Sequence, residues 1–204
     1  DKICELGEKY DALVVVDDSH ATGFIGKSGR GVHEYYNVMD KVDIITTTFG
    51  KALGGATGGC IAGKKEIIDL LKQKARPYLF SNALMPAVVS ATIKVIDLLS
   101  QSTERRDKLE SLTDFWRTSL QNAGFEIRGN TPIVPIMLHE AKLAQAFSKD
   151  LYEEGVFAIG FCYPVVARSC ARIRTQISAS LEKADLEKAL AAFIKVGKKH
   201  GVIK

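Results

Sequence analysis

The sequence predicts an α/β protein in which part of a large α/β domain, residues 1–100, is followed by a small α+β domain, residues 101–204. Two observations carry this prediction. Short β-branched runs alternate with helical patterns in the first part, and charged amphipathic helices alternate with single strands in the second. With 46% hydrophobic residues, the chain has enough apolar material for one large core or two small ones.

The first part opens with a helical pattern at residues 2–10, which runs into an apolar stretch at residues 13–16. A continuous apolar run that ends in acidic residues is typical of a buried parallel strand. Residues 43–48 form a second β-branched run, and a glycine-dense loop, residues 50–59, precedes a short strand at residues 60–62. These elements predict part of an open α/β sheet.

Helices follow the strands of the first part. Residues 64–75 place apolar side chains on one side, and Pro77 ends this helix because proline cannot continue the helical hydrogen-bond ladder. A long and mostly apolar helix covers residues 85–99, with Pro86 in its first turn, where the missing N–H is harmless. Its position between the two parts predicts a helix that connects two domains.

The second part shows the period of amphipathic helices at residues 104–123, at residues 141–153 and in a last helix that includes residues 186–194. This alternation of helices and strands predicts a small α+β domain. The strand-like runs cover residues 125–128, 133–138, 156–161 and 171–175.

Composition excludes several classes of function. Lys and Arg number 28 against 24 Asp and Glu, so the net charge of +4 is too small and too dispersed for a nucleic-acid-binding surface. No apolar run approaches the roughly 20 residues of a membrane span, and no secretory signal opens the chain, so neither membrane insertion nor secretion is expected. The four cysteines form no C-x-x-C pair, which fits reduced thiols.

A glycine-rich loop carries the most informative residue, Lys51 in the run TTTFGKALGG. Lys51 lies just after a predicted strand, where small neighbours leave room for a bulky ligand. Partial desolvation of its amine would favour the neutral nucleophile that a Schiff base requires. The alternatives are a surface lysine in a turn and a phosphate-binding P-loop, but the P-loop is excluded because Ala52 stands where that motif needs Ser or Thr.

The run VVVDDSH places Asp17 and His20 at the carboxyl end of a predicted strand, the usual ligand edge of an open α/β sheet. A carboxylate at this position can pair with the protonated pyridine nitrogen of a cofactor. A helix cap or a metal-ligand pair would use the same residue types. No further His or Cys stands at metal-ligand spacing, so no metal site is expected.

Four motifs resemble, in order, those of the α-oxoamine synthases, a family of pyridoxal-phosphate enzymes: VDDSHATGFIGKSGRG, TTTFGKALGGATGG, RPYLFSN and ARIRTQISA. They extend over about 160 residues. The resemblance implies the C-terminal half of an aspartate aminotransferase-like fold. Residues 1–100 would then be part of the cofactor-binding large domain, including the interdomain helix, and residues 101–204 the C-terminal domain.

The resemblance also implies pyridoxal 5'-phosphate as the cofactor and a role for each matching residue. Asp17 would pair with the pyridine nitrogen, His20 would contact the phenolic oxygen, and Lys51 would bond covalently to the cofactor. Thr48 matches a phosphate contact. Ser81 matches a phosphate ligand that reaches into the neighbouring subunit's site, so a homodimer with a shared active site is expected.

Arg172 and Arg174 occupy alternate positions of a predicted strand and therefore share one face. An arginine can hold an amino-acid carboxylate through two parallel hydrogen bonds, which lysine cannot do. The resemblance implies that Arg174 is this substrate-binding residue. For Arg172, a structural ion pair is an equally good interpretation.

Other polar residues carry weaker signals. A basic stretch within residues 64–76 fits the phosphates of coenzyme A and equally fits a solvated helix face. The histidines outside the motifs lie in turn or helix-end patterns that suggest no partner, so solvated positions are expected for His33, His139 and His200.

The resemblance implies an acyltransferase that condenses glycine with acetyl-CoA to give 2-amino-3-ketobutyrate and CoA, in glycine and threonine metabolism. Branches of the family that use succinyl-, pimeloyl- or palmitoyl-CoA are alternatives. A non-catalytic partner subunit is another, although the presence of Lys51 argues against it. The phosphate-binding turn and a stacking aromatic residue are expected upstream, so residues 1–204 alone are expected to be inactive. The expected compartment is a bacterial cytoplasm or a mitochondrial matrix.

Overall fold

A computed structural model describes residues 1–54 and 57–204, and two residues of the glycine-rich motif, Gly55 and Ala56, lie outside the described residues. The chain divides into two compact units, Asp1–Thr103 (unit 1) and Glu104–Lys204 (unit 2). Each unit contains a three-stranded sheet with helices, so the predicted α/β class is confirmed.

The sheet of unit 1 combines parallel and antiparallel pairing. Helix α1 (Lys2–Tyr10) leads into strand β1 (Val15–Asp17), and α2 (Val32–Tyr35) precedes β2 (Ile44–Thr48). The strand order is β1-β2-β3, with β1 parallel to β2 and β3 (Gly59–Gly63) antiparallel to β2. The three predicted strands are therefore present, and β1 begins two residues later than the apolar run predicts.

Burial in this sheet differs from the prediction. The run at residues 13–16 reads as a buried strand, but Leu13 and Val15 are exposed by 66% and 57%, whereas Val14 is buried. Because successive side chains of a strand point to opposite faces, only one face of β1 is packed within unit 1. The prediction of a fully buried strand is wrong, since full burial requires a layer on both faces.

The helices of unit 1 follow the sheet. Helix α3 (Lys65–Lys74) ends before Pro77, as predicted, but a further short helix, α4 (Arg76–Phe80), begins at once. Pro77 lies in the first turn of α4, where a missing N–H breaks no helical hydrogen bond. Helix α5 (Pro86–Gln101) matches the predicted apolar helix. Across residues 1–54 and 57–204, no helix has the length and apolar character needed to cross a membrane.

Unit 2 is an antiparallel sheet covered by helices, with strand order β4-β6-β5. The predicted strand at residues 125–128 is wrong, because only a single bridge between Ile127 and Ile136 forms there. The elements of unit 2 are α6 (Glu104–Asn122), β4 (Ile133–His139), α7 (Ala141–Glu153), β5 (Ile159–Phe161), β6 (Ala171–Gln176) and α8 (Lys183–Lys199).

Aromatic side chains fill the core of unit 2. Trp116 of α6 meets Phe193 of α8 edge to face, with ring centroids 5.5 Å apart, and both side chains are almost fully buried. The indole N–H of Trp116 donates a hydrogen bond of 2.9 Å to Thr175 Oγ1, so the buried polar group has its partner. The three helices and the inner face of the sheet thus share one continuous core.

Candidate functional site

The ends of two neighbouring strands define the candidate site. Because β1 and β2 are parallel, their carboxyl ends lie at the same edge of the sheet. Asp17 is the last residue of β1 and pairs in register with Thr46, and Thr48 is the last residue of β2. The carboxylate of Asp17 and the hydroxyl of Thr48 therefore both belong to the edge at which open α/β sheets bind ligands.

Asp17 is an exposed carboxylate that is held in one orientation. Its Oδ1 accepts hydrogen bonds from the Ser19 hydroxyl at 2.5 Å and from the Ser19 backbone N–H at 3.0 Å. These two bonds are the main cause of a lowered Asp17 pKa. Desolvation opposes them, and the nearby charges of Lys51 and His20 lower the pKa further. Asp17 therefore carries a negative charge at neutral pH.

Lys51 lies on the turn that follows β2. Its Nζ donates a hydrogen bond of 3.2 Å to Thr48 Oγ1. The buried side chains of Phe49 and Leu53 anchor the turn on either side, and the Gly54 N–H closes it with a bond of 3.0 Å to the Lys51 carbonyl. Lys51 itself is exposed, so the predicted desolvation of its amine is not found among the described residues.

The structure brings together four of the predicted site residues. Thr48 bonds to Lys51, and the charges of Lys51 and His20 both act on Asp17. His20 is exposed in the turn directly after β1. A carboxylate, an amine, an imidazole and a hydroxyl thus surround one edge of the sheet, a set that can bind a cofactor with a basic ring nitrogen and an electrophilic carbon.

Ser81 lies outside this cluster. It follows α4 directly in an extended conformation, and its N–H donates to the Pro77 carbonyl at 3.0 Å. Its side chain is exposed, and within the described part of the chain no hydrogen bond joins its hydroxyl to Thr48 or Lys51. Ser81 therefore faces solvent rather than the site of its own unit.

Arg174 belongs to unit 2, in strand β6. Its guanidinium lies over the Phe161 ring at 5.5 Å, beside a mainly apolar cavity of about 580 Å³. Arg172 and Arg174 are both half-buried, whereas Ala171 and Ile173, which alternate with them along β6, are buried. The predicted alternation is therefore present. The Arg172 Nε donates to the Cys170 carbonyl at 2.9 Å, a contact that holds the start of β6.

Two of the three remaining histidines contradict the prediction of solvated positions. His33 is buried, with 7% of its surface exposed. His200 is half-buried, and its Nε2 lies 2.6 Å from Asp150 of α7. The partner of His200 is 50 residues away in sequence, so no local pattern indicates it.

His139 is exposed, as predicted, but it is paired. Its Nε2 lies 2.8 Å from the Glu126 carboxylate and its Nδ1 lies 3.2 Å from the Ser169 carbonyl. The hydrogen bond with Glu126 is the main cause of a raised His139 pKa. His139 therefore links the end of β4 to Glu126 and Ser169 within unit 2.

The basic stretch at residues 64–76 is partly neutralised by acidic neighbours. Lys65 forms an ion pair with Asp69 one turn along α3, and Lys64 lies 3.5 Å from Asp43. Pairs of this kind are common on solvated helix faces and favour that interpretation over a phosphate site. No group of three or more His, Cys, Asp and Glu side chains that could hold a metal ion occurs in residues 1–54 and 57–204.

Asp18 is a functional candidate that no motif indicated. This aspartate follows Asp17 and is fully buried. The signal for a buried aspartate is the pair of consecutive aspartates where a strand ends. Side chains alternate between the two faces there, so one carboxylate points to the ligand edge and the other points inward.

Comparison with known families and sequences gives consistent matches. The model of the family "aminotransferase class I and II" matches residues 1–193. The chain is 50% identical over 202 residues to 2-amino-3-ketobutyrate coenzyme A ligase of Escherichia coli K12, which covers 98% of this chain and 51% of the relative. It is 48% identical over 203 residues to 8-amino-7-oxononanoate synthase of Thermosipho melanesiensis, which covers 99% and 52%. The chain spans about half the length of these curated relatives.

A solved structure of SPT (serine palmitoyltransferase) with a PLP internal aldimine has the same fold. Its TM-score with this chain is 0.93 at 28% sequence identity, and the match covers 98% of this chain and 51% of that one. The similarity includes both sheets, since nearly the whole chain superposes.

Proposed function

Because the chain belongs to the family of class I and II aminotransferases, we propose that it forms part of a pyridoxal 5'-phosphate enzyme that condenses glycine with acetyl-CoA. The products are 2-amino-3-ketobutyrate and CoA. The observation that carries the proposal is the 50% identity over 98% of the chain to the E. coli 2-amino-3-ketobutyrate coenzyme A ligase.

The described residues fit the cofactor. Its ring nitrogen needs an acidic partner, and Asp17 offers a carboxylate whose pKa is already lowered and which is exposed at the sheet edge. Its electrophilic carbon needs an amine, and the Lys51 Nζ lies at the same edge, 3.2 Å from Thr48 Oγ1. The hydroxyl of Thr48 suits the cofactor phosphate. The cofactor in the SPT structure supports this assignment.

Each residue then has a defined task. When bound, the cofactor draws electrons from the amino acid and makes the glycine Cα proton acidic. Asp17 keeps the ring nitrogen protonated, because a carboxylate beside a pyridinium favours the charged form. The Lys51 amine accepts the Cα proton as a general base, and His20 donates a hydrogen bond to the phenolic oxygen. Arg174 holds the glycine carboxylate through two parallel hydrogen bonds.

A shared active site is part of the proposal. Ser81 would bind the cofactor phosphate of a second subunit, in a homodimer. Its exposed position at the end of α4 supports this role, because the neighbouring Tyr78 and Phe80 are exposed by 65% and 79%. Exposed aromatic side chains of this kind are typical of a protein–protein interface.

A second candidate concerns the acyl donor. The 48% identity to 8-amino-7-oxononanoate synthase is close to the 50% identity to the ligase, so a pimeloyl thioester is the main competitor of acetyl-CoA. The other alternative donors are succinyl-CoA, used by 5-aminolevulinate synthase, and palmitoyl-CoA, used by serine palmitoyltransferase. Turnover of acetyl-CoA and of succinyl-CoA with glycine, of a pimeloyl thioester with alanine and of palmitoyl-CoA with serine decides among them. A faster reaction with a longer thioester and its amino acid would reject the ligase while keeping the cofactor chemistry.

The test of the proposed function uses the full-length protein with pyridoxal 5'-phosphate. Glycine-dependent release of CoA from acetyl-CoA and the visible absorbance of the bound cofactor are measured for the wild type, for Lys51→Ala and for Lys41→Ala. Lys41 is the matched control, since its Nζ lies 2.8 Å from the Glu8 carboxylate and it precedes β2, at the opposite end from Lys51. Lys51→Ala should abolish both signals, and Lys41→Ala should retain both. Cofactor absorbance that persists unchanged in Lys51→Ala would reject the proposal.

A further inference from the structure

We infer that Asp18 is the positioning residue of the candidate site, because it closes the loop at residues 18–32 and thereby fixes both Asp17 and the turn that carries Lys51. This inference rests on the proposed function, since it assigns a role within the same cofactor site. Asp18 itself is closed off from solvent, because it is 0% exposed.

The Asp18 carboxylate joins the two ends of the loop. Its Oδ2 accepts a hydrogen bond of 2.6 Å from the Thr22 hydroxyl, and its Oδ1 accepts one of 2.9 Å from the Val32 backbone N–H. The Asp18 backbone N–H donates to the Thr46 carbonyl of β2 at 2.8 Å. One residue thus connects the end of β1, the start and the end of the loop, and the neighbouring strand.

Gly31 makes this closure possible. Its φ of 114° lies in the region that favours glycine, and a Cβ added there would lie 1.8 Å from Asp18 Oδ2. The Gly31 N–H donates to the Ile25 carbonyl at 2.8 Å, which holds the returning loop against its first half. The glycine at the end of the GKSGRG segment therefore leaves room for the buried carboxylate.

Anchoring Asp18 inward fixes Asp17 outward. Asp17 is the last residue of β1 and Asp18 directly follows it. Because the Asp18 N–H still bonds to the Thr46 carbonyl of β2, the two side chains continue the alternation of the strand. Asp18 is fully buried and its carboxylate accepts two hydrogen bonds, whereas Asp17 is exposed and lies near Lys51. A rotation of the backbone that moved Asp17 from the sheet edge would break the buried bonds of Asp18, which is costly because a buried carboxylate would lose its donors.

The same loop supports the Lys51 turn. Gly23, with a φ of 99°, approaches so closely that a Cβ there would lie 3.1 Å from Leu53 Cδ2 and 3.7 Å from Ala52 Cβ. Ala52 and Leu53 directly follow Lys51, and Leu53 is buried. The loop that Asp18 closes is therefore the surface on which the Lys51 turn rests.

Glu34 of α2 provides a matched control, because its carboxylate binds the tip of the same loop. Its carboxylate accepts hydrogen bonds from the Ser28 N–H and hydroxyl and from the Arg30 N–H, so it holds the outer tip of the loop. These contacts involve neither Asp18 nor the Lys51 turn. A variant at Glu34 loosens the loop tip without removing the closure at Asp18.

The experiment compares Asp18→Asn and Glu34→Gln in the full-length protein. Without cofactor, amide hydrogen exchange is measured at Val32, whose N–H bonds to Asp18, and at Gly54, whose N–H closes the Lys51 turn. With pyridoxal 5'-phosphate, its Kd and the pH dependence of its visible absorbance are measured. Asp18→Asn should accelerate exchange at both amides and raise the Kd, each by about tenfold, the effect of one disrupted buried hydrogen bond. It should also shift the pH profile, whereas Glu34→Gln should change each value less than about twofold.

Faster exchange at Val32 with unchanged exchange at Gly54 and an unchanged pH profile would overturn the inference, since Asp18 would then only stabilise its own loop. If Asp18→Asn fails to fold, Thr22→Val removes one of the two bonds, and the same pattern with a smaller size is expected. If the wild type binds no pyridoxal 5'-phosphate, the proposed function fails, and exchange at Gly54 still decides whether Asp18 controls the turn.

Discussion

Unit 2 buries a continuous core of its own, whereas unit 1 leaves large apolar side chains exposed. In unit 2, Trp116, Phe147 and Phe193 are each exposed by 1% or less and pack against one another. In unit 1, Ile3 and Phe80 are exposed by 71% and 79%, and all residues of β3 are exposed. Apolar burial is the main stabilising contribution to folding, so unit 2 has the larger share of it.

The difference separates stability from chemistry. The candidate site residues Asp17 and Lys51 lie in unit 1, whose apolar surface is open, and the aromatic core lies in unit 2. Large apolar side chains that are exposed together are typical of surfaces that other protein segments cover. We therefore expect changes in unit 1 to affect assembly and catalysis, and changes in the core of unit 2 to affect folding.

The largest expected effect concerns the two units expressed separately. Residues 104–204 should fold with a cooperative thermal transition, because the helices and sheet of unit 2 share one core. Residues 1–103 should aggregate or unfold without a sharp transition, since their apolar faces and strand edges are uncovered. Circular dichroism melting and light scattering measure both outcomes. A monomeric unit 1 that unfolds cooperatively would show that its exposed apolar side chains do not prevent independent folding.

The next effect compares two phenylalanines in the full-length protein. Phe193→Ala should lower the free energy of unfolding by about 3–5 kcal/mol, because it opens a cavity in a close-packed core. Phe80→Ala should change it by less than about 0.5 kcal/mol within a subunit, because the ring is 79% exposed, but it should weaken self-association. Urea unfolding followed by circular dichroism, together with sedimentation, separates the two effects. A large loss of subunit stability in Phe80→Ala would show that the ring is packed.

The sequence predicted best what depends on local pattern. The helix at residues 141–153 has the predicted bounds because its apolar period is a local property. Asp17 could be placed at the carboxyl end of one strand and Lys51 just after another, because both follow short apolar runs that are visible in the local sequence. The family prediction, made from four ordered motifs, is confirmed by the family match and by the 50% identical relative.

Other features could not be predicted, because they depend on which segments pack together. The burial of β1 depends on the layers that cover its two faces, and a hydrophobic run alone does not show whether both are present. The pairing of His200 with Asp150 joins residues 50 positions apart. The role of Asp18 depends on the return of the loop to Val32, which only the fold shows.

A smaller effect is expected from Asp17, whose replacement should change catalysis but not stability. Asp17→Asn should slow glycine deprotonation by about a hundredfold, a usual size for the loss of one group that stabilises developing charge. Thermal stability should change little, because the Asp17 side chain is exposed and its two hydrogen bonds are to Ser19. Exchange of the glycine Cα proton with deuterated water measures the step, and melting temperature is the control. Wild-type exchange in Asp17→Asn would contradict the role of its charge.

The smallest expected effect is the pH dependence of stability in unit 2. Asp150 of α7 lies 2.8 Å from Lys199 and 2.6 Å from His200, at the end of α8. Lys199 and then His200 lower the pKa of Asp150 from 3.8. A carboxyl group with a lowered folded-state pKa stabilises the fold when it is ionised. Its contribution is fully present above about pH 5 and is lost as the pH falls through the folded-state pKa.

Asp150→Asn should therefore lower the urea midpoint at pH 7, and the difference from the wild type should shrink steadily as the pH falls below about 4. The matched control is Glu187→Gln, whose partner Lys183 is 3.9 Å away on the exposed face of the same helix. Exposed pairs of this kind contribute little, so the control should follow the wild type at every pH. The fluorescence of Trp116, the single tryptophan of the chain, reports unfolding of unit 2 directly. A difference between Asp150→Asn and the wild type that stays constant from pH 7 to pH 3 would mean that packing at this position, rather than the carboxylate charge, joins α7 to α8.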